Sequence, residues 1–195
     1  MDMPMNVPAI LDKLIDYTSR ANPAIRAHLQ PPCTLEYIQQ HKPFAYYFPR
    51  DALALYQWHN GTQFKEDDPW EALFYYHRFL PFEEAVEEYH EMHRLGGDVY
   101  DPHLFPLFTF MGEYYSIWCT EEPQDHSPIY FVYHGEAQAY DHLESMLHSI
   151  RECYESGAYA LVNGDYTPNE QRVAEIKLKW NRCRSTVEGI MGHHP

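Results

Sequence analysis

Between Leu104 and Tyr133 the chain reads "LFPLFTFMGEYYSIWCTEEPQDHSPIYFVY", apolar and aromatic stretches broken only by short turns. Two strands are expected around Met111-Gly112-Glu113, and a third from Ile129 to Tyr133. Strands that follow one another this closely pair mostly antiparallel. On both sides of them the apolar period becomes helical. "VPAILDKLIDYTSRAN" places Ile10, Leu11, Leu14, Ile15 and Tyr17 on one stripe. Pro23 and Pro31-Pro32 then divide the chain into a short helix and an extended joint. "AYDHLESMLHSIRECYESGAY" reads as a long helix with Leu143, Leu147, Ile150 and Tyr154 on one face, stopped by Gly157. A final helix opens at Thr167-Pro168. Helices, a strand cluster with one helix inserted, then helices again make an α+β chain, not an alternating doubly wound one.

The inserted helix, "PFEEAVEEYHEMHRLGG", is the most sharply bounded. Pro81 stands at its start, Glu83 and Glu84 lie where the helix dipole favours anions, and Gly96-Gly97 ends it. Phe82, Ala85, Val86, Tyr89 and Met92 or His93 make its expected buried face. The preceding "LFYYHRFLP" reads as one buried aromatic strand. Thr34 is placed to cap "TLEYIQQ", and Asp51, after Pro49, to cap "ALALYQWH". That helix runs into Asn60-Gly61-Thr62, which admits a tight hairpin, an N-glycosylation sequon, or a helix stop with Gly61 left-handed at C′. A hairpin needs alternating residues before Asn-Gly, whereas Leu53, Leu55, Tyr56 and Trp58 fall at helical spacing. The helix stop is the reading adopted.

A length of 195 residues fits one domain, and a 16% aromatic content argues against disorder. Fourteen basic residues against 29 acidic ones leave a net charge of −15, a field that repels nucleic acid and anionic lipid and favours basic partners. Cys33, Cys119, Cys153 and Cys183 form no close pair and read as reduced, buried thiols. The start, "MDMPMNVPAILDKLID", has no basic n-region, and no run approaches the ~20 apolar residues of a membrane span. A soluble, cytoplasmic protein is expected, which leaves the sequon unused.

Four segments carry a family resemblance in sequential order. "FPRDALALYQWHNGT" resembles a signature in which Pro begins a short helix that ends in an aromatic residue and Asn-Gly. "HRFLPFEEAVEEY" resembles a strand leading straight into a helix. "LFPLFTFMGEYYSIWC" resembles a Phe-Pro … Gly-(Glu/Asp)-x-(Tyr/Phe) strand pair, and "AYDHLESMLHSIRECYESGAY" is similar to the C-terminal helix of bacterial members. Together they resemble the Smi/Knr family of the SUKH superfamily over roughly residues 34–160. The resemblance implies a single domain with a curved, mainly antiparallel sheet packed against helices. It also implies a non-catalytic role: many bacterial members are immunity proteins that bind a toxin, often a nuclease, and fungal members regulate cell-wall synthesis. Pro49, Trp58, Asn60, Gly61, Phe105, Pro106 and Gly112 are its motif positions, with structural roles. Residues 1–33, an N-terminal helical extension, and 161–195, a C-terminal helix and polar tail, lie outside it.

Thirteen histidines invite a metal reading. Glu87-x-x-His90 has di-iron spacing, His90 and His93 sit on adjacent turns, and Glu144 and His148 are four apart on another helix. A dimetal bundle needs two Glu-x-x-His motifs and two further glutamates; the second helix has the wrong spacing, and Val86 and Tyr89 occupy the buried side near His90. No H-E-x-x-H, C-x-x-C, G-x-S-x-G or Gly-rich phosphate loop is present. The expectation is therefore no catalytic residue, metal or cofactor, with a small metal-dependent enzyme using Glu87, His90 and His93 as the alternative. Three acidic runs stand out: Glu66, Asp67, Asp68 and Glu71; Glu83, Glu84, Glu87, Glu88 and Glu91; Glu121, Glu122 and Asp125. They read either as solvated faces or as a field that steers a basic toxin, with Trp70 and Tyr114 as aromatic anchors. A regulator with no toxin partner is the other reading within the family.

Overall fold

A computed structural model describes residues 7–63, 72–96 and 99–182. Its centre is a six-stranded sheet whose strands lie in chain order, every neighbour antiparallel: β1 (Ala72–Phe74), β2 (His77–Phe79), β3 (Leu104–Phe110), β4 (Glu113–Trp118), β5 (Ile129–Val132) and β6 (Glu136–Tyr140). The β3–β4 turn is made by Met111 and Gly112, both left-handed at φ 47° and 85°, as a tight hairpin requires. Helices α1 (Val7–Thr18), α2 (Ile25–His28), α3 (Leu35–His41) and α4 (Arg50–Trp58) precede the sheet. Helix α5 (Phe82–Gly96) is inserted between β2 and β3, and α6 (Leu143–Glu155) follows β6. The fold is α+β, as expected.

Strand register sorts the sheet into two faces, because paired residues point the same way. Phe79, Phe108, Tyr115 and Phe131 form one cross-strand row, and Phe105, Ile117, Ile129 and Tyr140 another. Both rows enter the main core with Leu11 and Leu14 of α1, Leu55 of α4 and Leu147 of α6. Phe44, Phe48, Phe82 and Tyr89 gather around the buried ring of Phe105. Each such buried side chain contributes about 1.5–3 kcal/mol. The opposite face carries Tyr114, Ser116 and Trp118 from β4 and Tyr130 and Val132 from β5. There a smaller cluster forms from Met92, Leu104 and Val132, with Tyr100, Tyr114, Trp118 and Tyr130 packed against it.

Five local expectations need correction. "LFYYHRFLP" is not one strand but the β1–β2 hairpin, turning at Tyr75-Tyr76 with Tyr75 at φ 50°. No Gly, Pro or Asn marks this turn. It is held from outside, by Tyr75 N–H donating to Tyr154 Oη at 2.8 Å and by the Tyr75 ring stacked on Tyr159. The helix expected from Ala139 begins instead at Leu143, capped by His142, and Ala139 and Tyr140 belong to β6. Pairing with β5 overrides the helix propensity of "EAQA". Thr167-Pro168 end β8 (Asp165–Pro168), which pairs with β7 (Tyr159–Val162) through left-handed Asn163 and Gly164. The last helix, α7 (Glu170–Trp180), is capped by Asn169.

The fourth correction concerns Asn60-Gly61. Helix α4 ends with His59 as C-cap, so Asn60 is C′ and Gly61, left-handed at φ 78°, lies one residue beyond. Asn60 Oδ1 accepts from Phe82 N–H at 2.8 Å and its Nδ2 donates to Glu83 at 3.0 Å, so it caps α5 from a distance. Gly61 backs onto the Leu80-Pro81 chain, where a Cβ would stand 2.2 Å from Pro81 N. The pair clamps the end of α4 to the start of α5. At the other end of α4 the N-cap is Pro49, and Asp51 sits inside the first turn, fully buried. Thr34 caps α3 as expected.

Candidate functional site

Burial of Phe82, Ala85, Tyr89 and Met92 turns the acidic side of α5 outward. Glu87 and Glu91 are exposed, and Glu91 pairs with Arg94 at 2.6 Å. Glu84 and Glu88 reach instead to the sheet, accepting from Arg78 and from Tyr114 Oη, each at 2.6 Å. Tyr114 is thus half-buried and engaged, not an exposed anchor, and burial together with Glu88 keeps its hydroxyl protonated. Glu121 and Glu122 are exposed in the β4–β5 connection. Glu66, Asp67, Asp68, Trp70 and Glu71 lie outside the described residues. Of the motif positions, Phe105 is buried in the core, Pro106 sits at a register shift of β3, and Trp58 Nε1 donates to Asp12 at 2.8 Å.

Glu87, His90 and His93 are not brought together. His93 Nδ1 lies 2.6 Å from Tyr89 O and Nε2 3.4 Å from Asp101 O. Nδ1 so close to a carbonyl carries the N–H, and among the described residues the ligand atoms of Glu87, His90 and His93 form no group within 4.8 Å. His148 lies 3.7 Å from Glu144 and stacks on Trp180 at 4.5 Å.

What the second face does assemble is a row of rings. Tyr46 stacks on His103 with centroids 3.9 Å apart, His103 on Trp118 at 4.7 Å, and Trp118 meets Tyr130 at 5.6 Å. All four are half-buried. Carboxylates border the row. Asp101 lies 2.8 Å from His103 Nδ1, Glu121 lies 3.5 Å from its Nε2, and Glu136 accepts from Asp101 N–H at 3.2 Å. Tyr114, Ser116 and Trp118 alternate along β4, and that was the one sequence signal for this face. Tyr46 and His103 precede their neighbours in loop segments and carry no periodicity.

A second constellation joins Asp51, His126 and His142, whose ligand atoms lie within 4.8 Å of one another. Among the described residues it is the one such group of three. Asp51 Oδ1 accepts from Ala52 N–H at 2.8 Å, and Oδ2 faces His126 Nδ1 at 3.2 Å. Arg50 and Asp51 N–H groups donate to Gln124 O and Asp125 O, which fastens the β4–β5 connection to α4. Burial raises the Asp51 carboxyl, the bond to Asp51 raises His126, and burial and nearby His126 lower His142. His142 caps α6 by accepting Ser145 N–H on Nδ1 at 3.1 Å. A neutral imidazole accepting on Nδ1 carries its proton on Nε2, so it offers a metal no lone pair there. The group is better suited to share protons than to hold a cation. It ties α4, the β4–β5 connection and α6 together.

Compared with models of known protein families and with curated protein sequences, the chain matches none. Burial pushes the Cys33 thiol up to about 11, Cys153 to about 12 and Cys119 well above its usual value, so none of the three is an activated nucleophile. No helix among the described residues is long and apolar enough to cross a membrane.

Proposed function

We propose that the chain is a non-catalytic binding module of the SUKH type, an immunity protein that binds a basic, nuclease-type toxin and occludes it. Support comes first from the order of elements across the four resembling segments: a helix starting after Pro49, a β2–α5 unit, the β3–β4 pair, and α6. The observation that carries the reading is the second sheet face, where half-exposed rings are bordered by Asp101, Glu121 and Glu136 beside the exposed acids of α5. Charge of this sign raises the encounter rate with a cationic groove, and aromatic side chains supply the packed anchors that hold it. Carboxylates then stand where the toxin's phosphate substrate would bind, and activity stops by occlusion. Co-expression tests the reading. Cells producing the basic toxin domain encoded beside this gene are expected to survive only with the chain present, and less well when Glu87, Glu91, Glu121 and Glu122 are all changed to lysine. Equal killing with and without the wild-type chain overturns it.

A further inference from the structure

We infer that a cavity on the core face of the sheet is a binding site for a free, neutral molecule of one six-membered ring and one oxygen, phenol being the simplest. The inference goes beyond the binding reading and does not rest on it, because the proposed partner face is the opposite side of the sheet. The cavity encloses about 150 Å³. Phe131 and Ala139 line it from β5 and β6, and Ile150 of α6 and Val173 of α7 complete the apolar wall. It lies at a seam, where the main core meets the smaller cluster of Cys153, Ala158 and Ile176 against which Tyr159 and Val173 pack. Size is the first observation: an apolar protein cavity of about 150 Å³ takes a benzene ring.

A hydroxyl is the second observation. Tyr115, Tyr140 and Tyr159 border the cavity, and burial holds all three protonated. The Tyr115 and Tyr140 hydroxyls bond to each other. The Tyr159 hydroxyl lies near both, yet it has no hydrogen-bond partner among the described residues. A buried donor without an acceptor is costly, and an oxygen within the cavity satisfies it. One placed donor in an apolar lining is also how a small site orients its ligand. Charge narrows the class further. Glu113, Glu170 and Lys177 stand along the lining, and Lys177 Nζ is held over the Tyr140 ring at 4.5 Å. Two carboxylates against one engaged ammonium repel an anion, so the oxygen is that of a neutral group and not of a carboxylate.

Phenol, benzene and benzoate are the probes, titrated into the full chain at neutral pH while the amide resonances of Ala139 and Val173 are followed. Phenol is expected to shift both saturably and to bind at least about fivefold more tightly than benzene, with benzoate weaker than either. Tyr159→Phe removes a hydroxyl that holds nothing in the fold, so it brings phenol and benzene to parity and leaves the urea midpoint unchanged. Val173→Phe, at a half-buried position, fills the cavity and abolishes binding of both, with circular dichroism checking the fold. Equal binding of phenol and benzene to the wild-type chain overturns the inference, as does a phenol preference that survives Tyr159→Phe. Shifts that never saturate, or that spread over the surface, mark water as the occupant and overturn it too. N-acetyltyrosinamide bound as tightly as phenol also overturns it, because the ring recognised is then a tyrosine of a protein partner and not a free molecule.

Discussion

At the residue scale, Asn60 and the Asp51, His126 and His142 group hold together parts of the chain far apart in sequence. Asn60 supplies an acceptor to Phe82 N–H and a donor to Glu83. Asn60→Ala leaves an N-terminal amide of α5 unpaired and is expected to cost about 1–2 kcal/mol in urea unfolding. The Asp51, His126 and His142 group makes stability depend on pH from both sides. The folded value of His142 is depressed, so its contribution is present above the unfolded value near ~6.5 and is lost as pH falls through the folded one. His148, also lowered by burial, acts in the same direction. The folded value of His126 is raised by Asp51, so its contribution is present below ~6.5 and is lost as pH rises through the folded one. His142→Asn keeps a capping side chain and flattens the acid limb, whereas His126→Gln flattens the alkaline limb. Urea midpoints from about pH 5 to 8 check both, and unchanged slopes in either variant refute the coupling.

At the element scale, legibility followed the presence of local punctuation. Helix α5 was readable because Pro81 opens it, Gly96 ends it and the apolar stripe between them has one period. The β3–β4 turn was readable from Met111-Gly112, and Thr34 from its place before α3. The β1–β2 hairpin was not, since Tyr75-Tyr76 has no turn chemistry and depends on Tyr154 and Tyr159, some eighty residues away. Asn-Gly was readable as a motif but not as a structure: at Asn163-Gly164 it turns a hairpin, and at Asn60-Gly61 it docks one helix on another. Strand β6 was hidden because only its partner β5 makes Glu136–Tyr140 extended. Tyr154→Phe removes the acceptor that fixes Tyr75 N–H and is expected to cost about 1 kcal/mol. Faster hydrogen exchange at the Tyr75 amide is the accompanying sign, and unchanged exchange contradicts the account of this turn.

At the scale of the whole molecule, the acid excess was plain in the composition, but its arrangement was not. The ring row draws Tyr46, His103, Trp118 and Tyr130 from four segments, and the buried Asp51 group draws on three, so neither leaves a spacing to find. Contacts across such distances arise only when the sheet closes. A net charge of −15, with exposed acids on α5 and on the β4–β5 connection, gives the folded chain a field suited to a cationic partner. The most direct measurement is the association rate constant with a basic toxin domain of the kind the proposed function implies, taken by stopped flow between about 50 and 500 mM salt. Binding by this face predicts a tight complex whose association rate falls at least about tenfold across that range while dissociation changes little. No complex at any salt, or an association rate indifferent to it, would contradict the account.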